Sequence, residues 1–405
     1  MDRFFLQNLT SFQGRSVGER VGAVVNIPTF ELNNGREIPA LGYGTWLGLN
    51  KKLEFDYTDL SKMTEAMSYA IDIGYRHIDT AHLYRVEPEV GEVINKKIKE
   101  GVVKREEVFV TTKVWHHHHR ESDVEVAVRD SLRRLNLDYI DLVLMHWPMS
   151  INEDGVDEKI DYLETWRGLE TVLKKGLAKA IGISNFNLQQ LKRLIANCKV
   201  VPASAQLEIN LTLGDKELVE YCQSQKIVVV AYSPFGSMIP SRAAPNAPEP
   251  KLNNPSLVNI AKKHGKTVTQ VTLRYLSRVL ENASIFDFEL DREDLKTLAE
   301  FDVNYRTVPC RFWQDYENYP FEKIPVPKME IPLALRKWKN ENRMISIRSK
   351  NRQIVGTLAS APLGIWTALG VRMKLSIDEV IRNVCYALVK TKGINFWFEL
   401  PSASR

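Results

Sequence analysis

Seven short runs of apolar and largely β-branched residues recur along the chain: LGYGT (41–45), YRHIDTA (75–81), VFVTTK (108–113), IDLVLMHW (140–147), AKAIGIS (178–184), SAQLEI (204–209) and IVVVAYS (227–233). Between them the apolar positions change to a spacing of three to four, as in Met63, Met67, Ala70 and Ile71, in Val124, Val128, Leu132 and Leu135, and in Leu163, Trp166, Leu169, Val172 and Leu173. A run that is apolar at every position suits a strand buried on both faces, and the longer spacing suits a helix with one buried stripe. Their alternation predicts parallel βα units. Ahead of the first run, FELNNGREIPAL (30–41) predicts a hairpin turning at Asn34 and Gly35.

The fold class is therefore α/β, and two architectures compete for it. An open doubly wound sheet needs a glycine-rich G-x-G-x-x-G loop after its first strand, which the sequence lacks. A TIM-type (β/α)8 barrel needs eight strands, and the pattern supplies seven. The barrel is favoured, with an N-terminal hairpin and one strand unaccounted for.

Length and composition fit this reading. The chain has 405 residues, 44% of them apolar, enough to fill one large barrel. The formal charge of +5 is unevenly spread: Lys323 to Arg405 holds 15 Lys and Arg against 5 Asp and Glu, which leaves residues 1–322 at net −5. An acidic body without a basic stripe argues against nucleic acid as a partner. Cys198, Cys222, Cys310 and Cys385 are far apart and form no C-x-x-C, the usage of free thiols in a reducing, cytoplasmic setting. The first 25 residues contain no continuous apolar segment of the kind a secretory signal needs.

Three segments are expected: an N-terminal extension (1–25), a barrel unit (26–322) and a basic extension (323–405). The last opens on a proline-rich linker, KIPVPKMEIP. It then carries an uncharged run of 19 residues, QIVGTLASAPLGIWTALGV (353–371), whose Pro362, glycines and polar residues make it a poor membrane span. Val380, Val384 and Leu388 give SIDEVIRNVCYALVK (376–390) a helical period.

In a TIM-type barrel the working groups sit at the carboxyl ends of the strands. Here those ends carry Asp79 and Tyr84, Lys113, His146 and Trp147, Ser184 and Asn185, Gln206, and Tyr232 and Ser233. Two other polar groups invite chemistry but lack its pattern. The run His116–His119 has no carboxylate or cysteine to complete a metal site and is expected to be a polar loop at the barrel mouth; no metal is predicted. Glu87 to Glu92 are expected to be a solvated helix start.

The segments GYRHIDTAHLYRVEPEVG, VFVTTKVW, LDYIDLVLMHWP, IGISNFN and VVAYSPFGS, in this order, resemble the aldo-keto reductase family from about Val25 to Glu322. The resemblance implies a monomeric enzyme that passes hydride from NADPH to the carbonyl of a small aldehyde or ketone. Hydride arriving at a carbonyl carbon leaves an alkoxide that must take a proton. A phenol with a pKa of about 10 supplies one at neutral pH only if a nearby cation stabilises the phenolate. By resemblance, Tyr84 is that acid, Lys113 that cation, Asp79 the partner of Lys113, and His146 the group that orients the substrate carbonyl. Trp46, Trp115 and Trp147 match the walls of the substrate pocket, beside Tyr84 and His146. Gly44, Thr45, Trp46 and Asp79 lie on the cofactor side. Ser184, Asn185 and Gln206 match the contacts to the nicotinamide amide, Tyr232 the ring stacked on it, and Ser233, Phe235, Gly236 and Ser237 the loop over the pyrophosphate. NYRTVPCRFWQDYENYPFE (304–322) matches the family's C-terminal substrate loop.

One departure stands out. After LRYL the family runs through an apolar strand and a Lys-Ser phosphate loop into a helix, whereas TLRYLSRVLENASIFDFEL (272–290) passes directly to a sequence like that helix. Asp291 and Asp294 then match an N-cap and N3 pair. The resemblance thus implies that the eighth strand is missing together with the loop that holds the adenosine phosphate, leaving Arg278, Glu281 and Asn282 as the remaining contacts there. Two functions follow: an active carbonyl reductase, or a catalytically impaired barrel with weakened cofactor grip.

Overall fold

The structure is a computed structural model that describes residues 27–49, 54–55, 57–239, 243–244, 246–279, 288–327 and 329–336. The N-terminal extension, Glu281, Asn282, the uncharged run 353–371 and the helical pattern at 376–390 lie outside the described residues.

Strands β1 (Thr29–Glu31) and β2 (Glu37–Pro39) pair antiparallel as the expected hairpin. Gly35 turns it at φ +77°, where a side chain would be strained. Leu32 and Ile38 pack under the barrel against Phe109, Leu142 and Ala180, and Asn33 and Asn34 donate to the Pro202 and Lys179 carbonyls at 2.9 and 3.0 Å. The hairpin thereby closes the amino-terminal end of the barrel.

The βα units follow: β3 (Gly42–Gly44), α1 (Leu60–Asp72), β4 (His77–Asp79), α2 (Glu87–Lys99), β5 (Phe109–Val114), α3 (Glu121–Leu135), β6 (Ile140–Met145), α4 (Tyr162–Lys174), β7 (Ala178–Ser184), α5 (Leu188–Asn197), β8 (Ser204–Glu208), α6 (Lys216–Ser224) and β9 (Val228–Tyr232). Strands β3 to β9 form one parallel sheet in chain order, as the seven apolar runs predict. The stripe residues Met63, Met67, Ala70 and Ile71 of α1 and Val124, Val128, Leu132 and Leu135 of α3 are buried against it. Packing between β7 and β8 demands a glycine: a Cβ at Gly182 would lie 2.4 Å from the Ser204 carbonyl oxygen and 2.7 Å from Leu144 Cδ2.

The sheet curls like a barrel but has seven strands, and among the described residues neither β3 nor β9 has a strand on its second side. Every residue of β5, β6 and β8 is buried, whereas in β9 Val228, Val230 and Tyr232 remain partly exposed. After α7 (Pro255–Lys263), helix α8 (Val268–Val279) extends three residues beyond LRYL (273–276), after which the resemblance implies a strand is missing. Helix α9 (Arg292–Ala299) starts at the predicted cap, with Asp291 Oδ1 accepting the Glu293 and Asp294 N–H groups and Asp294 Oδ2 accepting the N–H of Asp291.

The solvated helix start expected at Glu87 is not what forms. Its carboxylate is buried, accepting from Thr112 Oγ1 at 2.7 Å and Arg134 Nε at 2.6 Å, and so ties α2 to β5 and α3. Local spacing gives no sign of this, because both partners lie more than twenty residues away.

Candidate active site

Four polar side chains predicted from the strand ends meet at the carboxyl end of the sheet. Asp79 closes β4, Lys113 lies near the end of β5, His146 directly follows β6, and Tyr84 ends a short 3-10 turn, His82–Tyr84. Lys113 is 1% exposed, and its ammonium donates to Asp79 Oδ1 at 2.5 Å, the Thr80 carbonyl at 3.0 Å and the Tyr84 hydroxyl at 3.3 Å. A buried ammonium without a carboxylate is strongly disfavoured, so Asp79 is what keeps this charge in place. Asp79 is fixed in turn: Gln206 Nε2 donates to its Oδ2 at 2.8 Å, and Thr45 Oγ1 donates to its carbonyl at 3.0 Å.

His146 lies between Tyr84 and Trp115, with ring centroids 5.8 and 5.1 Å away. Burial, and then the neighbouring Lys113 charge, hold its pKa well below the ordinary imidazole value. It is neutral at physiological pH, with one ring nitrogen a donor and the other an acceptor. Its backbone is pinned, since its N–H donates to the Val114 carbonyl at 3.1 Å and its own carbonyl accepts from Asn185 Nδ2 at 2.9 Å.

The residues predicted for the cofactor form one arc along the ends of β7, β8 and β9. Ser184, Asn185 and Gln206 are buried; Asn185 Nδ2 donates to Ser184 Oγ at 3.1 Å, and the Tyr232 hydroxyl donates to Asn185 Oδ1 at 2.6 Å. Gly44, at the end of β3, and Thr45 lie across the mouth, next to Trp46. Beyond β9 the chain turns sharply, with Ser233 at φ +49° and Gly236 at φ +45°. A Cβ on Gly236 would come within 2.7 Å of Asn210, so glycine keeps this loop close to β8. Phe235 and Ser237 are buried in the same loop, and Lys251 Nζ donates to the Ala247 and Pro248 carbonyls at 3.1 and 3.0 Å behind it. This donor and acceptor set beside a partly exposed tyrosine ring fits a nicotinamide amide, and the glycine turn fits a pyrophosphate. Arg278, predicted for the adenosine end of the cofactor, falls in the last turn of α8.

Trp46, Trp115 and Trp147, the residues expected to wall the substrate pocket, each lie near the polar cluster. The Trp46 ring is 5.0 Å from that of Tyr84. Trp115 and Trp147 are packed by Trp313, whose ring is 5.8 and 5.4 Å from theirs, and Phe321 is 5.5 Å from Trp147. Trp313 and Phe321 belong to the segment 304–322, which therefore packs onto Trp115 and Trp147.

Its anchor, Glu208, is a residue that the sequence motifs pass over. At the end of β8 this buried carboxylate accepts the Thr307 and Val308 N–H groups at 2.6 and 3.0 Å, and Asn210 Nδ2 at 3.2 Å. Asn187 and Gln190 Nε2 hold the same segment through the Pro320 and Asn318 carbonyls. The one signal for Glu208 is its place two residues after Gln206, hence on the same side of the strand.

The histidine run is not a polar loop. His116 stacks on Trp115 at 3.9 Å between nearly parallel rings, and both His116 and His119 are buried. Burial lowers their pKa values, that of His119 to about 3, so they pack as neutral aromatic rings. Among the described residues no group of three or more His, Cys, Asp or Glu could hold a metal, and no helix is long and apolar enough to cross a membrane.

The profile of the aldo/keto reductase family matches residues 40–302. The chain is 41% identical over 310 residues to aldo-keto reductase AKR2E4 of Bombyx mori, covering 73% of this chain and 99% of the relative. It is 37% identical to estradiol 17 beta-dehydrogenase 5 of Mus musculus, covering 72% of this chain and 97% of that protein. Among solved structures, an aldo-keto reductase (AKR2E5) complexed with NADPH matches with a TM-score of 0.73 and 64% identity, over 78% of this chain and 99% of the other.

Proposed function

The chain belongs to the aldo/keto reductase family, and on that premise we propose that it reduces small aldehydes or ketones to alcohols with NADPH as cofactor and Tyr84 as the general acid. The observation that carries this reading is the Lys113 ammonium, buried beside Asp79 and 3.3 Å from the Tyr84 hydroxyl. A cation at that distance stabilises the phenolate left when the phenol gives up its proton, and so makes Tyr84 a usable acid near neutral pH.

Ser184, Asn185 and Gln206 would hold the nicotinamide amide, Tyr232 its ring face, and Ser233, Phe235, Gly236 and Ser237 the pyrophosphate, with Gly44, Thr45 and Trp46 across the mouth. When bound, NADPH supplies the hydride. His146, being neutral, donates to the substrate carbonyl oxygen and orients it towards Tyr84, and a donor aimed at developing negative charge favours the transition state over the ground state. As charge collects on that oxygen, Tyr84 delivers its proton to it and Lys113 compensates the phenolate. Trp46, Trp115, Trp147 and Trp313 present an apolar wall suited to aromatic or long aliphatic carbonyl compounds. The name of the mouse relative, a dehydrogenase of estradiol, agrees with a bulky apolar substrate. The catalytic unit on this reading is residues 26–322 of a cytoplasmic monomer, and the unpaired state of Cys198, Cys222 and Cys310 supports a reducing location.

A second reading rests on the open edge of the sheet. No strand lies beyond β9 among the described residues, and the resemblance implies that the loop clamping the adenosine phosphate is lost with it, with Arg278, Glu281 and Asn282 as the contacts that would remain. The catalytic cluster is then intact while NADPH is held weakly. Consumption of NADPH at 340 nm with 4-nitrobenzaldehyde tests the activity, and quenching of tryptophan fluorescence by NADPH tests the grip. Turnover at high NADPH with weak binding supports a reductase with a weakened clamp; no turnover by folded protein at saturating NADPH refutes catalysis.

A further inference from the structure

Tyr84 does not sit on a strand. It ends the short turn His82–Tyr84 between β4 and α2, where the Tyr84 N–H donates to the Ala81 carbonyl at 3.0 Å and the Arg85 N–H to the His82 carbonyl at 3.3 Å. A single turn of this kind is not stable alone, so ties to its neighbours must hold it in place. His82 supplies one such tie. Arg134 Nη2 of α3 donates to His82 Nδ1 at 2.7 Å and to Ser131 Oγ at 3.1 Å, while Arg134 Nε donates to Glu87 Oε2 at 2.6 Å. The other oxygen of the buried Glu87 accepts from Thr112 Oγ1 at 2.7 Å. Thr112 and Lys113 are successive residues of β5, with side chains on opposite faces of the strand. One carboxylate thus ties the strand that carries the Lys113 cation to the turn that carries Tyr84, with Arg134 as the link between them.

We propose that Arg134 is a positioning residue for the proton donor, fixing through His82 and Glu87 the separation between the Tyr84 hydroxyl and the Lys113 ammonium. That role rests on the reading of Tyr84 as the general acid. A guanidinium has N–H donors alone, so His82 Nδ1 is the acceptor, and a neutral ring carries its hydrogen on Nε2. Burial, and after it the Arg134 charge, hold the His82 pKa well below the ordinary imidazole value, and His118, His117 and Arg85 near it act in the same direction. The link is therefore made at any pH where the protein is folded and the ring is neutral. Coulomb attraction falls with distance, so a turn freed to move by about 1 Å weakens the cation's hold on the phenolate. The midpoint at which Tyr84 ionises then rises by about one pH unit.

NMR titration of the full-length chain labelled with carbon-13 at tyrosine Cζ tests it, the Tyr84 resonance being the one lost in Tyr84→Phe. Two variants cut the link. Arg134→Lys keeps a charge beside Glu87 but cannot reach two partners as the guanidinium fork does, and His82→Leu removes the acceptor. The Arg134 side chain is 23% exposed, so a lysine there is compatible with folding. In both variants the Tyr84 midpoint is expected to rise by about one pH unit. The basic limb of kcat/KM for 4-nitrobenzaldehyde is expected to move up with it, and the plateau to fall by about tenfold. His82→Asn, which offers an amide oxygen near the place of Nδ1, is expected to bring the midpoint back to within about 0.3 pH unit of the unmodified chain. A midpoint unmoved in folded Arg134→Lys or His82→Leu would overturn the proposal, even where the rate falls, and so would a His82→Asn midpoint displaced as far as that of His82→Leu. No turnover in the unmodified chain, with the midpoint still displaced in the variants, would refute the catalytic reading and leave Arg134 as the residue that holds the Tyr84 phenol to Lys113.

Discussion

Gln206 Nε2 donates to Asp79 Oδ2 at 2.8 Å, and the other oxygen of that carboxylate holds the Lys113 ammonium at 2.5 Å. One buried carboxylate therefore joins β8, whose Gln206 is proposed to hold the nicotinamide amide, to the cation beside Tyr84. Asp79→Asn keeps the shape and removes the charge, stranding the ammonium in a dry site. Stability is expected to fall by about 3–5 kcal/mol, the usual cost of breaking a buried pair. Turnover is expected to fall by about 10²–10⁴, the range lost with acid–base function. Urea unfolding and steady-state assays check the two; full activity in Asp79→Asn would refute the role given to the pair.

Glu208 predicts a different kinetic signature. Its carboxylate accepts two backbone N–H groups of the segment that carries Trp313, and the amide of Glu208→Gln turns an NH2 group towards one of them. Frustrating one such buried bond costs about 1–3 kcal/mol, so KM for a bulky carbonyl substrate is expected to rise about tenfold. The reacting groups are untouched, and kcat is expected to stay within about threefold. A fall in kcat with unchanged KM would contradict the assignment of Glu208 to the substrate loop.

Buried histidines set the response to acid. Burial lowers the folded pKa of His77 to about 4 and of His119 to about 3, and puts His116 and His146 well below the ordinary value. In the unfolded chain each takes a proton near pH 6.5, so below that pH the unfolded state binds more protons than the folded one. The stability these groups contribute is complete above about pH 7 and is lost as pH falls from about 6.5 towards 4, at up to about 1.4 kcal/mol per pH unit for each group. Urea midpoints measured from pH 8 to pH 5 are expected to be flat at first and then to drop. A midpoint constant across that range would show that these rings are protonated in the folded state.

Features written in local spacing are legible in the amino-acid sequence. The seven apolar runs correspond to the seven parallel strands, the Asn34–Gly35 turn to the hairpin, and Asp291 with Asp294 to the cap of α9, because each depends on residues within a few positions of one another. The convergence of Asp79, Tyr84, Lys113 and His146 is legible too, because parallel strands bring all their carboxyl ends to one side. Glu87, Glu208 and the buried His116 and His119 are not, since their surroundings are set by partners distant in the chain. Four consecutive imidazoles read as a polar loop, and only the packing of Trp115 and Trp313 around His116 shows that this ring belongs to the interior.

If Tyr84 gives the proton with Lys113 beside it, Tyr84→Phe, which removes that hydroxyl alone, is the most direct test. The measurement is kcat for NADPH oxidation at 340 nm with 4-nitrobenzaldehyde, alongside NADPH affinity from tryptophan quenching. Measurable turnover is expected in the unmodified chain, with a fall of about 10²–10⁴ in Tyr84→Phe and an NADPH affinity changed by less than about twofold. Turnover in Tyr84→Phe within tenfold of the unmodified chain would contradict the role given to Tyr84.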